Sequence, residues 1–297
     1  MKDTSKHCGI VALLGEPNVG KSTLINALIG TKISIVTHKA QTTRERIRGI
    51  IIEGNTQIVL IDTPGIFFST KSRLDKVMVS SAWGGASDSD IILFMLEAHR
   101  GLSESARSIL KTLGQIKNNK SRIALVINKI DRVKREQLLI LAEKFNTAYN
   151  FDKTFMISAQ KDQGITNLKK WMAENLPRAN WLYPQNQLAD FQIKSFAAEL
   201  TREKLLLRLH QEVPYQLVVE PEDWIELPNG DIKISQNILV SNKRYKGIVL
   251  GKKGETIKWV SIASRKELVK ILDKQIHLIL QVRVRKNWYN DPKLFPI

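Results

Sequence analysis

The segment GEPNVGKST, residues 15–23, constrains the fold of this 297-residue chain more than any other. It fits the pattern G-x-x-x-x-G-K-[ST] and follows a short apolar run at residues 9–14. A stretch with helical spacing comes next and ends near Gly30. A strand, a glycine loop and a helix in this order direct backbone N–H groups at phosphate oxygens. We therefore predict a nucleotide site formed by Gly15, Glu16, Pro17, Asn18, Val19, Gly20, Lys21, Ser22 and Thr23. A glycine-capped turn with a solvated lysine is the alternative.

Strand and helix patterns alternate after this loop. Apolar strands are predicted on both sides of the turn at residues 54–55 and again at 90–98, 122–129 and 153–159. Helical patterns occupy about 102–115, 134–149 and 164–176. This alternation predicts a mostly parallel sheet with helices on both faces, which binds ligands at the carboxyl ends of its strands.

A magnesium site is predicted beside the glycine loop. Lys21 is expected to reach the β- and γ-phosphates, and the Ser22 hydroxyl to bind Mg²⁺. The sequence DTPG places Asp62 at the end of a strand and Gly65 three residues later. In this arrangement the carboxylate lies near Mg²⁺ and the Gly65 N–H faces the γ-phosphate.

The base is predicted from the ends of two later strands. Asn128, Lys129 and Asp131 match N-K-x-D, and the Asp131 carboxylate can accept from guanine N1–H and the 2-amino group. Asn128 can bridge neighbouring loops, and the Lys129 stem can cover the base. The pair Ser158–Ala159 follows the next strand, where the Ala159 N–H can donate to guanine O6. Four fragments in this order predict a guanine-nucleotide site.

A second domain of another class begins near residue 188. Prolines and polar residues at 176–187 interrupt the alternation, and the pattern beyond them reads α-β-β-α-α-β, with a first helix at about 188–210. We expect one domain at 1–178, a linker at 179–187 and a second domain at 188–297.

The charge distribution indicates an acidic partner. The chain carries a net charge of +17, and residues 241–286 hold 13 Lys and Arg against 3 Asp and Glu. A polyanion such as a nucleic acid is the expected partner, with a membrane surface as the weaker option. No apolar run is long enough to cross a bilayer, and one cysteine, Cys8, favours a reducing cytoplasm.

The first domain resembles the translation-factor-like branch of P-loop GTPases. The segment KAQTTRERIRGI, residues 39–50, then supplies the switch-I threonine, Thr43 in preference to Thr42, which in such proteins binds Mg²⁺ in the triphosphate state. The glutamine that orients water in Ras-like proteins is replaced by Ile66. Asn18 resembles an asparagine that binds K⁺ in related GTPases, and its alternative role is to cap the loop backbone. The resemblance assigns catalysis to Lys21, Asn18, Thr43 and Gly65.

The second domain resembles a type II KH domain, whose GxxG loop corresponds to GKKG at residues 251–254. A GTPase domain followed by such a domain is similar to the Era-type family of ribosome-assembly GTPases, including the segments REKLL, EVPYQLVVE and VLGKKGETIK. The resemblance implies binding to the 3′ end of small-subunit ribosomal RNA and a role in assembly of the 30S subunit or its precursor. The implied RNA-binding residues are Ile248, Val249, Gly251, Lys252, Lys253, Gly254, Ile257 and Lys258.

The complete prediction is a cytoplasmic monomer that uses GTP, GDP and Mg²⁺, with K⁺ as an additional cofactor and peripheral membrane contact as an additional partner. Three alternatives stay open. The first is a membrane-associated signalling GTPase that couples growth or division to nucleotide state. The others are a P-loop ATPase or small-molecule kinase, and a GTPase of tRNA modification or large-subunit assembly. Two modest departures from the family pattern, at Glu16 and at the strand end LEAHR (residues 96–100), are not expected to touch the predicted nucleotide contacts.

Overall fold

A computed structural model of the chain describes residues 5–37, 47–65, 73–101, 103–116, 121–190, 192–210, 213–292 and 294. The described residues fall into two compact units. The first takes those of Met1–Ser34, Thr43–Lys71 and Asp75–Asp190, and the second takes those of Ile35–Thr42, Ser72–Leu74 and Phe191–Ile297. The predicted residues Thr43 and Ile66 lie outside the described residues.

Strands and helices alternate up to residue 190, as the sequence predicts. In chain order they are β1 (His7–Gly15), α1 (Lys21–Ile29), β2 (Ile47–Glu53), β3 (Thr56–Asp62), α2 (Arg73–Ser87), β4 (Ile91–Glu97), α3 (Glu104–Ile116), β5 (Arg122–Asn128), α4 (Arg135–Ala148), β6 (Lys153–Met156), α5 (Ile165–Asn175) and β7 (Ala189–Asp190).

The described strands of the first unit form one sheet in the order β6-β5-β4-β1-β3-β2-β7. The pairs from β6 to β3 are parallel, and β2 is antiparallel to both β3 and β7. Every residue of β3 and β4 is buried, which explains the apolar runs IVLI and IILFML within them. Because β1, β3, β4, β5 and β6 are mutually parallel, their carboxyl ends share one edge of the sheet.

The segment before residue 193 differs from the expected helix. Ala189 and Asp190 pair with Gly49 and Arg48 as an edge strand, so the predicted helix at 188–210 begins only at 193. The preceding residues are also attached to the sheet through the buried Gln57. Its Nε2 donates to the Tyr183 carbonyl at 2.8 Å, and its Oε1 accepts from the N–H groups of residues 182 and 183 at 2.9 and 3.0 Å.

The second unit has the predicted α-β-β-α-α-β order. Its elements are α6 (Ile193–Arg208), β8 (Leu217–Glu226), β9 (Ile232–Val240), α7 (Lys243–Leu250), α8 (Glu255–Leu272) and β10 (Ile276–Val284). The three strands form a sheet in the order β10-β9-β8, in which β9 and β10 are parallel and β8 and β9 antiparallel. The connection through α7 and α8 is what allows β9 and β10 to run parallel.

Residues 35 and 36, which precede the predicted switch-I segment at 39–50, belong to the core of this second unit. Ile35 is 1% exposed and packs in the same apolar cluster as Phe196 and Leu200 of α6. The Val36 N–H donates to Oε1 of the buried Glu203 at 2.8 Å. Glu203 lies in the REKLL segment, so this segment holds residues 35 and 36.

Candidate functional site

The glycine loop joins β1 to α1, as the sequence predicts. Pro17 and Val19 lie within the loop, and Thr23 lies in the first turn of α1. Gly65 approaches this loop closely, because a Cβ on it would lie 2.8 Å from Pro17 Cα. The D-x-x-G segment and the glycine loop therefore meet, as a γ-phosphate site requires.

Lys21 is held over the loop by its own backbone. Its Nζ donates to the carbonyl oxygens of Gly15 and Glu16 at 3.1 and 3.0 Å. Burial lowers the pKa of the Lys21 ammonium to about 8, against the opposing effect of the carboxylates of Asp62 and Glu16. A bound phosphate would add negative charge beside this buried group and favour its charged form.

Three side chains meet at the end of β3. The Ser22 and Ser34 hydroxyls both donate to Oδ2 of Asp62, at 2.7 and 2.6 Å. Asp62 is fully buried. A hydroxyl and a carboxylate are the hard oxygen ligands that Mg²⁺ prefers, so Ser22 and Asp62 fit this ion. Among the residues that the structure describes, no group of three or more His, Cys, Asp or Glu side chains could hold a metal by itself.

The predicted base-binding residues converge at the ends of β5 and β6. Asn128 is 1% exposed and bridges two loops: its Nδ2 donates to the Val19 carbonyl at 2.9 Å, and its Oδ1 accepts from the Ala159 N–H at 3.0 Å. The Ser158 hydroxyl donates to Asp131 Oδ1 at 2.6 Å, and this bond holds the pKa of the Asp131 carboxyl below its usual value. Asp131 therefore stays an anion suited to the donor edge of guanine.

Glu97 is a member of this site that sequence reasoning missed. It is 2% exposed at the end of β4, and its Oε1 accepts from Lys129 Nζ at 2.7 Å. Lys129 Nζ also donates to the Asn18 carbonyl at 2.8 Å. The expectation that the LEAHR strand end does not touch the predicted nucleotide contacts is therefore wrong, because its glutamate accepts a hydrogen bond from a predicted base-binding lysine. A carboxylate at the end of a fully apolar strand is the signal that could have indicated it.

The other departure, Glu16, also has a defined contact. The Ser103 hydroxyl donates to its Oε1 at 2.8 Å, and the Ala106 N–H donates to the Ser103 hydroxyl at 2.9 Å. Glu16 thus attaches the glycine loop to the first turn of α3. Its side chain is therefore part of the support of the glycine loop.

In the second unit the GKKG loop connects α7 to α8. Gly251 has φ 77° and ψ 172°, and Gly254 has φ 79° and ψ 12°. Lys252 and Lys253 are exposed between them, as is Lys258 one turn into α8. The loop thus presents ammonium groups beside backbone that a phosphodiester can approach closely.

The apolar residues predicted for the same RNA site do not all reach the surface. Ile248 is 38% exposed and Ile257 is half-buried, so both can contact a ligand. Val249 is fully buried in one core cluster with Val260 and Ile238. The burial of Val249 corrects its predicted role, because its side chain belongs to the core and is not exposed where RNA could contact it.

Comparisons with known proteins agree with this geometry. A family model described as a 50S ribosome-binding GTPase matches residues 10–129, and a KH domain model matches residues 212–289. The chain is 55% identical to GTPase Era of Dinoroseobacter shibae over 289 residues, which are 97% of this chain and 94% of that protein. It is 51% identical to GTPase Era of Brucella suis over 98% of this chain and 93% of that protein.

Two solved structures are similar over nearly the whole chain. One is Era of Aquifex aeolicus, in a variant bound to GDP·AlF₄⁻, and the other is Era in complex with MgGDPNP and nucleotides 1506–1542 of 16S ribosomal RNA. Each is 34% identical with a TM-score of 0.93, and each alignment covers 98% of this chain and 99% of the other.

Proposed function

The chain is a GTPase of the Era family, and on that premise we propose that it binds the 3′ end of small-subunit ribosomal RNA through its KH domain and assists assembly of the 30S subunit. The observation that supports this proposal is that one chain carries both sets of predicted residues. In the first unit Lys21, Asp62 and Asp131 lie near the carboxyl ends of the parallel strands, and in the second unit the GKKG loop is exposed. We assign the nucleotide to residues 1–178 and the RNA to 188–297, with 179–187 as the connection.

In the proposed nucleotide site, different residues bind different parts of GTP. Lys21 and the backbone N–H groups of the loop bind the β- and γ-phosphates, and Asn128 and Asp131 bind guanine. Ser22 and Asp62 would hold Mg²⁺, which when bound neutralises charge on the phosphate oxygens. The Gly65 N–H and the Lys21 ammonium stabilise the charge that develops during hydrolysis.

Thr43 completes this proposal as the switch-I ligand of the triphosphate state. Thr43→Ala should slow GTP hydrolysis more than it weakens GDP binding, because its contact exists only with GTP bound. Single-turnover hydrolysis and a GDP titration measure the two effects. An equal loss of both would place Thr43 outside the switch.

Asn18 is proposed to bind K⁺ beside the phosphates. Its backbone has φ 68°, and its carbonyl is fixed by Lys129 Nζ. A fixed loop at this position gives a monovalent cation a constant set of oxygen neighbours. Hydrolysis should be faster in KCl than in NaCl at equal ionic strength, and Asn18→Ala should remove the difference. Equal wild-type rates in the two salts would contradict the assignment.

The RNA proposal rests on charge and on the similar solved complex. The segment 241–286 has a net charge of +10, and the loop places Lys252 and Lys253 in solvent. The Era structure with 16S ribosomal RNA has the same overall fold as this chain. Phosphates would meet these lysines, and unstacked bases would lie against Ile248 and Ile257.

The test is the affinity for an oligonucleotide from the 3′ end of 16S ribosomal RNA, measured over a salt series. Lys252→Asp with Lys253→Asp should abolish binding and leave GTP binding unchanged. A matched control, Lys274→Asp with Lys286→Asp, makes the same change in charge at exposed positions outside the loop. Wild-type affinity and salt dependence in the loop variant would refute the proposed RNA site, since each lost phosphate contact should reduce the salt slope by about one.

A second candidate function is contact with an anionic membrane, which α8 favours. Trp259 and Ile262 are 40% and 48% exposed, and the exposed Lys258 and Arg265 lie beside them on the helix. Apolar and basic residues together on a helix suit the headgroup region of a bilayer. None of the helices that the structure describes is long and apolar enough to cross a membrane. We propose a cytoplasmic monomer that makes this contact peripherally.

Vesicles containing phosphatidylglycerol provide the test of membrane contact. Trp259→Ser with Ile262→Ser should reduce co-sedimentation with the vesicles and leave affinity for the ribosomal RNA oligonucleotide unchanged. Wild-type protein that stays in the supernatant at low salt would remove this candidate.

A further inference from the structure

The Ser34 hydroxyl is a second feature of the nucleotide site, besides Glu97, that the predicted GTPase motifs do not include. Ser34 is fully buried, and its Oγ donates to Asp62 Oδ2 at 2.6 Å. The Ser22 Oγ donates to the same oxygen at 2.7 Å. We propose that Ser34 is a positioning residue for Mg²⁺, which fixes the Asp62 carboxylate in the orientation that the ion requires. This inference rests on the proposed assignment of Asp62 to Mg²⁺.

Asn26 fixes Ser34 from helix α1. Its Oδ1 accepts from the N–H groups of Ile33 and Ser34, both at 3.0 Å, and its Nδ2 donates to the Ser34 carbonyl at 2.8 Å. Three bonds from one amide leave the backbone at Ser34 little freedom. The neighbouring Ile33 is also buried, at 4% exposure, so the chain on the N-terminal side of Ser34 is packed as well.

Helix α1 carries both Asn26, which holds Ser34, and Ser22, which is a predicted magnesium ligand. Ser22 and Asn26 are four residues apart and therefore lie on one face of the helix. Ser22 contacts Asp62 directly, whereas Asn26 contacts it through Ser34. One face of α1 thus fixes the positions of both hydroxyl groups that donate to the Asp62 carboxylate.

The two hydroxyls have different roles once Mg²⁺ is present. The Ser22 oxygen is an expected ligand of the ion, so its position depends on whether the ion is bound. Ser34 belongs to a different segment and can keep its bond to Asp62 in both states. A buried carboxylate requires such charge-assisted bonds, and outer partners of metal ligands typically change metal affinity by 10–100-fold.

A purely structural role for Ser34 predicts a different result, and Ser121 offers a matched control. Ser121 is also a buried serine of the first unit, and its Oγ donates to the Ser89 carbonyl at 2.7 Å. Ser34→Ala and Ser121→Ala each remove one buried hydroxyl bond of similar length. Only the first removes a bond to the proposed magnesium ligand.

The experiment measures release of a fluorescent GDP from the full chain at a series of buffered free Mg²⁺ concentrations. Ser34→Ala should raise the Mg²⁺ concentration for half-maximal retention by about tenfold or more. GDP affinity in excess EDTA should not change, and Ser121→Ala should behave as wild type. Ser34→Cys keeps a weak donor of similar size and should fall between wild type and Ser34→Ala.

Four outcomes decide between the explanations. The proposal would be overturned if the Mg²⁺ concentration for half-maximal retention in Ser34→Ala lay within twofold of the wild-type value. An equal shift of this concentration in Ser121→Ala would overturn it too. If Ser34→Ala does not fold, a Ser34→Cys value equal to wild type overturns it in the same way. Asp62→Asn separates the underlying assignment, because unchanged Mg²⁺ dependence in that variant would mean that Asp62 itself does not serve the ion.

Discussion

The two glycines of the GKKG loop should respond very differently to the same substitution. Gly251 has φ 77° and ψ 172°, and a Cβ on it would lie 2.3 Å from Thr256 Oγ1 and 2.8 Å from the Thr256 backbone N. Gly254 has φ 79° and ψ 12°, and a Cβ on it would meet no heavy atom within 4 Å. Alanine therefore collides with the first turn of α8 at one position and enters open space at the other.

The cost of each change follows from these geometries. The conformation of Gly251 is one that essentially only glycine adopts and costs other residues about 1–3 kcal/mol. The collision with a backbone atom adds to this, so Gly251→Ala should lose at least about 3 kcal/mol of unfolding free energy. Gly254→Ala enters the left-handed helical region, which costs about 1 kcal/mol. The gain from a stiffer unfolded chain is the same for both alanines and cancels from the difference.

Amide hydrogen exchange of the full chain in increasing urea measures this difference. Peptides from β9 and β10 report opening of the second unit, and GDP binding confirms that the first unit is intact. A gap of about 2 kcal/mol corresponds to roughly a 30-fold difference in the open population. Equal exchange in Gly251→Ala and Gly254→Ala would refute the steric reasoning, and so would a larger effect at Gly254.

Three further predictions concern the nucleotide. Asp131→Asn should weaken GDP binding because its amide N–H₂ faces the N–H donors of guanine. It should favour xanthosine diphosphate, whose base has an oxygen acceptor at C2. Unchanged GDP affinity in calorimetry would contradict this prediction. Glu97→Gln should weaken GDP binding by about fivefold, since a charged partner of Lys129 becomes neutral at a cost of about 1 kcal/mol. Equal GDP titrations of Glu97→Gln and wild type would show that Lys129 needs no such partner. Because the pKa of Lys21 is about 8, nucleotide-free protein loses the ammonium proton as pH rises through 8. Bound phosphates favour the charged form of Lys21. GDP affinity should therefore be maximal and constant below pH 7 and fall by about tenfold per pH unit above 8. Constant affinity from pH 7 to 9.5 would contradict this.

The sequence predicts best those residues whose chemistry depends on a strand end. Asp62 and Asn128 each end an apolar run, Asp131 lies three residues after Asn128, and parallel strands bring such ends to one edge. Contacts that depend on tertiary structure alone are not predictable in this way. Ser34 lies in the apolar stretch KISIV, where nothing local indicates a bond to Asp62, 28 residues later.

Two elements of the fold show the same limit. Helix α2, over Arg73–Ser87, was not predicted because its two glycines and three serines weaken the apolar periodicity. Strand β7 has only two residues, and its pairing with β2 is visible only once the sheet exists. Val249 illustrates a related error, since an apolar residue beside a binding loop can equally belong to the core.

The bonds at Ser34 join separate segments of the first unit. The Ser34 Oγ donates to Asp62 Oδ2 across 28 residues of sequence, and Asn26 of α1 holds the backbone of residues 33 and 34 through three bonds. The orientation of the Asp62 carboxylate is therefore set by the turn after α1 as well as by β3. A substitution in that turn can change the geometry at the end of β3 without altering any residue of the D-x-x-G segment.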